Sequence, residues 1–505
     1  MTLASLTAHG AANYPNREAL IFEKDIYTYA QLEEATNRVA NALVASGAQK
    51  GDRMAIFLPN RPEFLLSLLG IVKAGGVAVI LNTGVKSDEI EAIVRRSAPS
   101  RLITTAHLYK QIEDLRDELP ELKNVYFVDR DDDPDAAFET LLQGDPSKVP
   151  VAVNSDDVAS ILFTAGITAT PKGATLTHGN YIANIEMIAK TSGMDEETRM
   201  LGILPLFHVM GLTIGALAPL YAGGTVVLQR GFSVRNFLPT VEVRQVTAMV
   251  AVPTVFAILN QLPKRDMFDL SRLKLCISGG SPLSSDTLKA FEKNYRATIL
   301  EGYGLTEATC AVTLNPPGER RLGSVGLPLP GMELKLLDDN GVELDVNQEG
   351  EINIAGPSVM KEYYDYPEAT NAVLHQGWLS TGDLGYRDED GYFYITGRKK
   401  ELIIRGGENI YPLEVEEALI ADSRIVDCSV IGAPDPIWGE EVVAFIRKAA
   451  DVELTEQDVM DTTRHKLSDF KCPTRVIFVE DLPKTATGKI RKGLLADQYR
   501  KSHRK

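Results

Sequence analysis

Cysteine is scarce: Cys276, Cys310, Cys428 and Cys472 are the only four in 505 residues, and no two are spaced as C-x-x-C. That excludes a zinc ribbon and a disulfide framework and fits a reducing cytoplasm. Basic charge is also short. Fifty-three Lys and Arg face 69 Asp and Glu, for a net charge of −16. A general nucleic-acid binder needs a basic footprint, and docking on anionic lipid needs one too, so both are disfavoured. There is no low-complexity tract and no repeat of fixed period. The first twenty residues lack a charged segment followed by an apolar one, so they do not read as a signal peptide. Long apolar runs are absent with one exception. Gly211 to Leu228 carries no charge over 18 residues, the length at which a membrane span comes into question. Pro219 and Ala222-Gly223-Gly224 interrupt it, so a buried helix, a tight turn and a buried strand over Thr225–Leu228 are expected instead, with no transmembrane segment.

What is present describes a globular protein. Apolar residues make up 44% and charged residues 24%, and the length fits two to four domains. The acidic excess is confined to the first 396 residues, which hold 34 basic and 50 acidic groups; from Gly397 onward there are 19 of each. Early on, the strand-like Arg53–Leu58, the helical Pro62–Lys73 and the strand-like Val77–Leu81 set a βα rhythm that Leu102–Thr104 and Val125–Val128 continue. Apolar strands alternating with helices predict a parallel sheet covered on both faces. From about Gly323 strands shorten and turn signals multiply, as at Asp339-Asn340-Gly341 and Asp390-Gly391, which predicts a β-rich part. The expected class is α/β. Residues 1–396 form a large domain of parallel α/β sheets plus a β-rich subdomain, and 397–505 form a small, mobile α+β domain, with a hinge near Lys400.

Five segments have the composition of chemistry. Phe163 to Gly173 follows an apolar strand and precedes a helical stretch from about Asn180. Its small residues allow backbone N–H groups near phosphate oxygens, Thr164, Thr168 and Thr170 add hydroxyls, and Lys172 adds charge. An ordinary polar turn explains these residues as often. Glu301-Gly302-Tyr303-Gly304-Leu305-Thr306-Glu307-Ala308 offers glycines beside a flat ring and a carboxylate suited to Mg²⁺; a strand end with a satisfied Glu fits equally. Ser380-Thr381-Gly382-Asp383 could present an Asp to a ribose diol or simply make an Asx turn. Gly397-Arg398-Lys399-Lys400-Glu401 and Pro483-Lys484-Thr485-Ala486-Thr487-Gly488-Lys489-Ile490 both read equally as surface segments, although a Lys beside a Gly can meet developing phosphate charge.

Together and in this order, these segments resemble the adenylate-forming superfamily of acyl-CoA synthetases, luciferases and adenylation domains, over essentially the whole chain. The resemblance is strongest to bacterial medium- and long-chain fatty-acyl-CoA synthetases, through ISGG, EGYGLTEA, VMKEYY, GWLSTGDLG, DGYFYITGRKKELI and PKTATGKI. It implies an ATP-dependent acid–thiol ligase that makes an acyl-adenylate with release of pyrophosphate and then transfers the acyl group to CoA, with ATP, Mg²⁺ and CoA required. By that likeness residues 163–173, among them Thr164, Gly166, Thr168, Thr170 and Lys172, would cradle the ATP β- and γ-phosphates. Gly279-Gly280-Ser281 and Tyr303 would enclose the adenine. Thr306 would bind the α-phosphate and Glu307 the Mg²⁺. Asp383 and Arg398 would hold the ribose, and Lys489 would bridge carboxylate and α-phosphate. Lys400 would be the hinge, Gly406 and Gly407 would line the CoA channel, and His208 would guard the acyl site. Trp438-Gly439-Glu440 also matches a family segment and is given only a structural role.

The chain departs from the family in its phosphate loop, where Ala165, Ile167 and Ala169 stand for the usual Ser, Thr and Gly. Two lost hydroxyls that each met a charged group would cost about 3–6 kcal/mol at worst, or roughly 10²- to 10⁴-fold in turnover. A working enzyme with a raised KM for ATP is expected. The segments expected at the acyl site, His208–Leu212, Val252–Thr254 and Thr309–Val312, are apolar, with no Arg or Lys placed for a second carboxylate. That favours a monocarboxylic acid, fatty before aryl (cinnamate-like). Rival readings are a ligase delivering its adenylate to a carrier protein and a catalytically impaired relative that binds acyl groups or nucleotide. Peripheral membrane association and a homodimer are left open.

Overall fold

The computed structural model describes residues 1–85, 87–130, 136–164, 171–450, 452–484 and 490–502. They form two compact units, Met1–Glu333 with Ile354–Leu379, and Leu334–Asn353 with Ser380–Lys505.

The first unit is built from the expected βα rhythm. Arg53–Phe57 is a strand, and the helix Pro62–Lys73 opens on its proline, whose fixed φ suits a first helical turn. Gly75, with φ +75°, turns the chain into the strand Val77–Ile80, which pairs in parallel with Arg53–Phe57. Among the described residues two mixed sheets result. One runs Glu362–Tyr363, Lys172–Thr177, Val158–Thr164, Val77–Ile80, Arg53–Phe57, Arg101–Thr104 and Asn124–Phe127. The other runs Leu327–Pro328, Ala311–Leu314, Thr298–Gly304, Leu275–Ser278, Ala248–Ala251, Arg199–Gly202, Thr225–Leu228, Glu18–Phe22 and Asp25–Thr28. Its six strands from Thr298–Gly304 to Glu18–Phe22 are parallel, and its outer pairs are antiparallel. The parallel sheets expected from the sequence are present, and antiparallel strands extend them at the edges. Helix Ser285–Tyr295 and its neighbours bury Phe237, Phe256, Phe291 and Ile299 against this sheet. Arg53–Phe57 and its partners pack beneath Ile90, Ile93 and Val94 in the same manner.

The charge-free run divides as its punctuation implies. Met210–Leu217 is a π-helix, Ala218–Tyr221 one α-turn, and Thr225–Leu228 a fully buried strand. Among the described residues no helix is long and apolar enough to cross a membrane.

Most residues of the next sheet belong to the second unit: Trp378–Arg387 and Phe393–Arg398 form an antiparallel hairpin alongside Gly350–Ala355 and Glu333–Leu337. The chain then turns through Lys399–Glu401 and builds a separate sheet from Ile403–Arg405, Glu408–Ile410, Ile425–Asp435, Gly439–Lys448 and Arg475–Phe478. Helices Pro412–Ile420 and Glu456–Arg464 belong to the layer that buries Val415, Leu419 and Val459. On another cluster of this unit Leu495 and Tyr499 of helix Lys492–Ser502 pack with Leu482.

Candidate functional site

In an open parallel sheet, ligands meet the carboxyl ends of the strands, where loops converge and backbone donors are free. In the first unit the motif residues emerge from neighbouring strands at that edge. Gly279 and Gly280 follow Leu275–Ser278; Tyr303 lies near the end of Thr298–Gly304, and Thr306 and Glu307 form the 3₁₀ turn after it. His208 follows Arg199–Gly202 by six residues. The strands carrying these groups are adjacent or separated by one strand, Ala248–Ala251.

Close backbone approach explains the glycines. A Cβ on Gly304 would lie 1.6 Å from the Cys310 carbonyl oxygen, so only glycine fits there. Gly280 has φ +86°, a conformation that disfavours any side chain. A Cβ on Gly279 would touch the Gly302 carbonyl oxygen and Met210 Sδ, both at 3.4 Å. Met210 opens the π-helix, a distortion that often marks functional segments. Gly211, next in that helix, would clash through a Cβ with the Pro205 carbonyl oxygen at 2.3 Å.

Glu307 is bound into a short polar chain. Tyr363 Oη donates to Glu307 Oε1 at 2.8 Å, and the Lys172 ammonium sits over the Tyr363 ring, 5.1 Å from its centroid. The Glu307 carbonyl accepts from the Met360 N–H at 2.7 Å. Burial, and then the Glu307 charge, push the Tyr363 phenol well above its ordinary range, so it stays a donor. The sequence reading missed Tyr363, although its segment was among those that carried the resemblance. Glu301 was also quoted without a role. It is largely buried, and burial lifts its carboxyl to about 7 against the opposing effect of Gly323 and Leu283 backbone N–H donors. His208 is partly buried; its Nε2 is shielded without a hydrogen-bond partner, and desolvation lowers its pKa to about 4. It is therefore a neutral ring at pH 7, stacked obliquely on Phe207 at 4.9 Å.

The strand before the phosphate segment and the helix expected from about Asn180 are both present, with one further strand, Lys172–Thr177, between them. Phe163 and Thr164 pair in antiparallel register with Gly173 and Lys172, and the helix His178–Ser192 begins only after the strand Lys172–Thr177. The strands on either side of residues 165–170 thus pair with each other, and Lys172 opens the second. Gly166, Thr168 and Thr170, with Ala165, Ile167 and Ala169, lie outside the described residues.

In the second unit Asp383 is not on a turn. It sits within the strand Trp378–Arg387, 4% exposed, opposite Arg398 in register, and Arg398 Nε meets Asp383 Oδ1 at 2.7 Å. The charged run after it is more than a solvated stretch: Lys399 Nζ reaches Asp339 at 2.9 Å and Glu351 at 3.3 Å, while Lys400 is exposed in the 3₁₀ turn Lys399–Glu401. Gly406 and Gly407 both have positive φ, +61° and +89°. Gly406 N–H donates to the Trp438 carbonyl at 2.7 Å, and a Cβ there would come within 2.8 Å of the Trp438 ring. Lys489 lies outside the described residues.

No group of three or more His, Cys, Asp or Glu poised for a metal occurs among the described residues. A bare transition-metal centre is not what Glu307 offers; a single carboxylate oxygen supplies one ligand and leaves the rest of a hard cation's shell to others.

Comparison with known proteins agrees with this arrangement. Residues 7–364 match the AMP-binding enzyme family and residues 414–489 match the AMP-binding enzyme C-terminal domain. The long-chain-fatty-acid–CoA ligase of Bacillus subtilis (strain 168) is 36% identical over 99% of this chain and 95% of its own length. A feruloyl-CoA synthase of Amycolatopsis sp is 34% identical over 97% of this chain and 98% of its own. The crystal structure of the anthranilate CoA ligase AuaEII, in complex with anthranoyl-AMP, superposes with a TM-score of 0.94 at 28% identity, covering 99% of this chain and 98% of that one. With both family regions matched in order and the motif turns built at the carboxyl edge of a parallel sheet, the chain belongs to the AMP-binding enzyme family, the adenylate-forming ligases that include the acyl-CoA synthetases.

Proposed function

We propose that the chain is an AMP-forming acyl-CoA ligase for an apolar monocarboxylic acid, with fatty acids as the leading substrates. The observation that carries this reading is the convergence of Gly280, Tyr303, Thr306, Glu307 and His208 at one sheet edge, with Lys172 and Tyr363 bound into the Glu307 chain. In the first half-reaction a substrate carboxylate oxygen attacks the α-phosphorus of ATP, and the bond to the bridging oxygen of the β-phosphate breaks to release pyrophosphate. In the second, the CoA thiolate attacks the acyl carbon and AMP leaves.

The Gly279-Gly280 turn and the Tyr303 ring are assigned to the adenine, for which a Cβ-free backbone and a flat face are suited. Thr306 is assigned to the α-phosphate. Glu307 would supply one carboxylate ligand to Mg²⁺, whose charge would favour the anionic phosphates, and the Tyr363 hydroxyl fixes which way that carboxylate faces. Lys172, its cation above the Tyr363 ring, is placed by this reading beside the phosphates. Asp383 and Arg398 take the ribose hydroxyls, the first as acceptor with its orientation held by the second. Lys489 supplies charge where two anionic reactants meet, Lys400 is the hinge, and Gly406 and Gly407 leave room for the pantetheine arm of CoA. His208 as a neutral ring suits the wall of an apolar acyl site, to which this reading also assigns Met210 and the buried Cys310, Ala311 and Val312. All four cysteines are free and buried, which supports residence in a reducing compartment.

An aryl substrate is the second reading, supported by the likeness to a ligase crystallised with anthranoyl-AMP. Pyrophosphate release with ATP, Mg²⁺ and CoA against acids from acetate to palmitate, with cinnamate, malonate and oxalate, tests both. Release confined to a chain-length class of fatty acids supports the first, release with cinnamate alone the second, and equal kcat/KM for malonate contradicts both.

A further inference from the structure

Three charged side chains in the second unit meet where they serve no part of the reaction already described. Lys492 Nζ lies 2.8 Å from Glu416 Oε1 and 3.3 Å from Glu401 Oε2. Each of these side chains is about four-fifths buried. Glu416 lies on the helix Pro412–Ile420, and its Oε1 also accepts the Val430 N–H at 2.7 Å, which fixes it to the sheet. Glu401 closes the turn Lys399–Glu401, one residue after the hinge position Lys400. Lys492 begins the helix Lys492–Ser502, three residues after Lys489.

The chain on either side of residues 485–489 is tied down more than once. Lys484 and Ile490 form an antiparallel bridge, Arg491 N–H donates to the Pro483 carbonyl at 2.8 Å, and Lys484 Nζ meets Asp427 Oδ2 at 2.5 Å. Leu482 and Ile490 pack into the apolar cluster of Val443, Phe445 and Leu495. Those contacts would anchor any surface loop. The Lys492 cluster differs because it joins the root of that segment to the turn after Lys400. It also places one cation between two carboxylates out of water, an arrangement that favours position over stability.

We propose that Lys492 is a positioning residue for adenylate formation: its bond to Glu401 holds the chain that follows residue 489 in fixed register with the turn Lys399–Glu401, and through that supports the role given above to Lys489. This rests on the reading of Lys489 given above. The residue acts through Lys489 and touches neither substrate nor nucleotide.

The test separates the two half-reactions in the full-length enzyme. Pyrophosphate release is measured with a fatty acid, ATP and Mg²⁺ in single turnover, and acyl-CoA formation is measured from preformed acyl-AMP and CoA. E401Q replaces the ionic tie to the turn by at most a weaker, neutral hydrogen bond and leaves the Lys492–Glu416 pair in place. It is expected to slow pyrophosphate release about tenfold through kcat, with KM for ATP within twofold, acyl transfer unchanged and Tm within 2 °C of wild type. K492M should lose more, and K492R, which can span both carboxylates, should restore most of the rate. Loss of both half-reactions in parallel with Tm in E401Q, or wild-type rates in both E401Q and K492M, overturns the proposal; if K492M does not fold, E401Q alone decides. K489A separates the two ideas. If it abolishes pyrophosphate release while E401Q is unaffected, only the role of Lys492 is lost. If K489A releases pyrophosphate normally, the reading of Lys489 falls and Lys492 with it.

Discussion

Replacing Glu301 by Gln should flatten one limb of the protein's dependence of stability on pH. Glu301 is held mostly out of water in the middle of the strand Thr298–Gly304, and burial raises its carboxyl from 4.5 to about 7. The folded chain therefore favours the neutral acid more than the unfolded chain does. Stability from this group is fully present below pH 4.5 and is lost as pH rises through 7, because the unfolded chain has released the proton that the folded chain still holds. The gap between 4.5 and about 7, at roughly 1.4 kcal/mol per pH unit, amounts to about 3 kcal/mol between pH 4.5 and pH 8. Gln has the same shape, keeps an acceptor for the Gly323 and Leu283 N–H groups, and does not titrate. Wild type and E301Q should then be close in stability at pH 4.5, with the variant ahead at pH 8. For a unit the size of the first one, that is a divergence of about 4 °C in Tm. Scanning calorimetry at half-unit steps of pH, in buffers of matched ionic strength, reads it directly. Parallel curves, with a constant difference from pH 4.5 to 8, would refute the reasoning and mean that the backbone donors keep Glu301 ionised in the fold.

Tyr363→Phe removes one hydrogen bond to the Glu307 carboxylate, worth about 1.5–3 kcal/mol to a charged acceptor; the Mg²⁺ concentration for half-maximal pyrophosphate release should rise at least several-fold with Tm little changed. His208, lowered to about 4 by burial, stays neutral through the working range. Rate profiles of wild type and His208→Phe should therefore have the same shape between pH 5.5 and 8, while the stability that the neutral ring contributes is lost only as pH falls from 6.5 toward 4. Gly304→Ala places a Cβ 1.6 Å from a carbonyl oxygen, and a destabilisation above about 4 kcal/mol, seen as loss of soluble protein or a collapse of Tm, is expected. Ile167→Thr with Ala169→Gly should raise kcat/KM for ATP, since it restores a hydroxyl donor and a Cβ-free position to the phosphate segment; no gain would mean that the remaining threonines already suffice.

The order of strands and helices was legible in the sequence because apolar periodicity and turn residues act locally. Pro62–Lys73 begins at its proline and stops before Gly75, and the charge-free run breaks where Ala222-Gly223-Gly224 predicts. The candidate residues were legible for another reason: Gly280, Tyr303, Glu307, Asp383 and Arg398 sit in short motifs whose order along the chain is specific. Tertiary structure decided what those residues touch. Asp383 reads locally as a turn residue, but a strand paired with Phe393–Arg398 sets it opposite Arg398 and buries it. The phosphate segment reads as a loop after a strand with a helix beyond it, and backbone pairing of Thr164 with Lys172 adds a strand before that helix. Tyr363 reaches Glu307 across 56 residues of sequence, and Lys492 reaches Glu401 across an even longer stretch. No local pattern encodes such pairs, because a hydrogen bond depends on distance in space, and that distance is fixed only when sheets and helices have packed. The raised carboxyl of Glu301 and the lowered imidazole of His208 have the same origin: desolvation belongs to the fold, and the sequence specifies only which group will feel it.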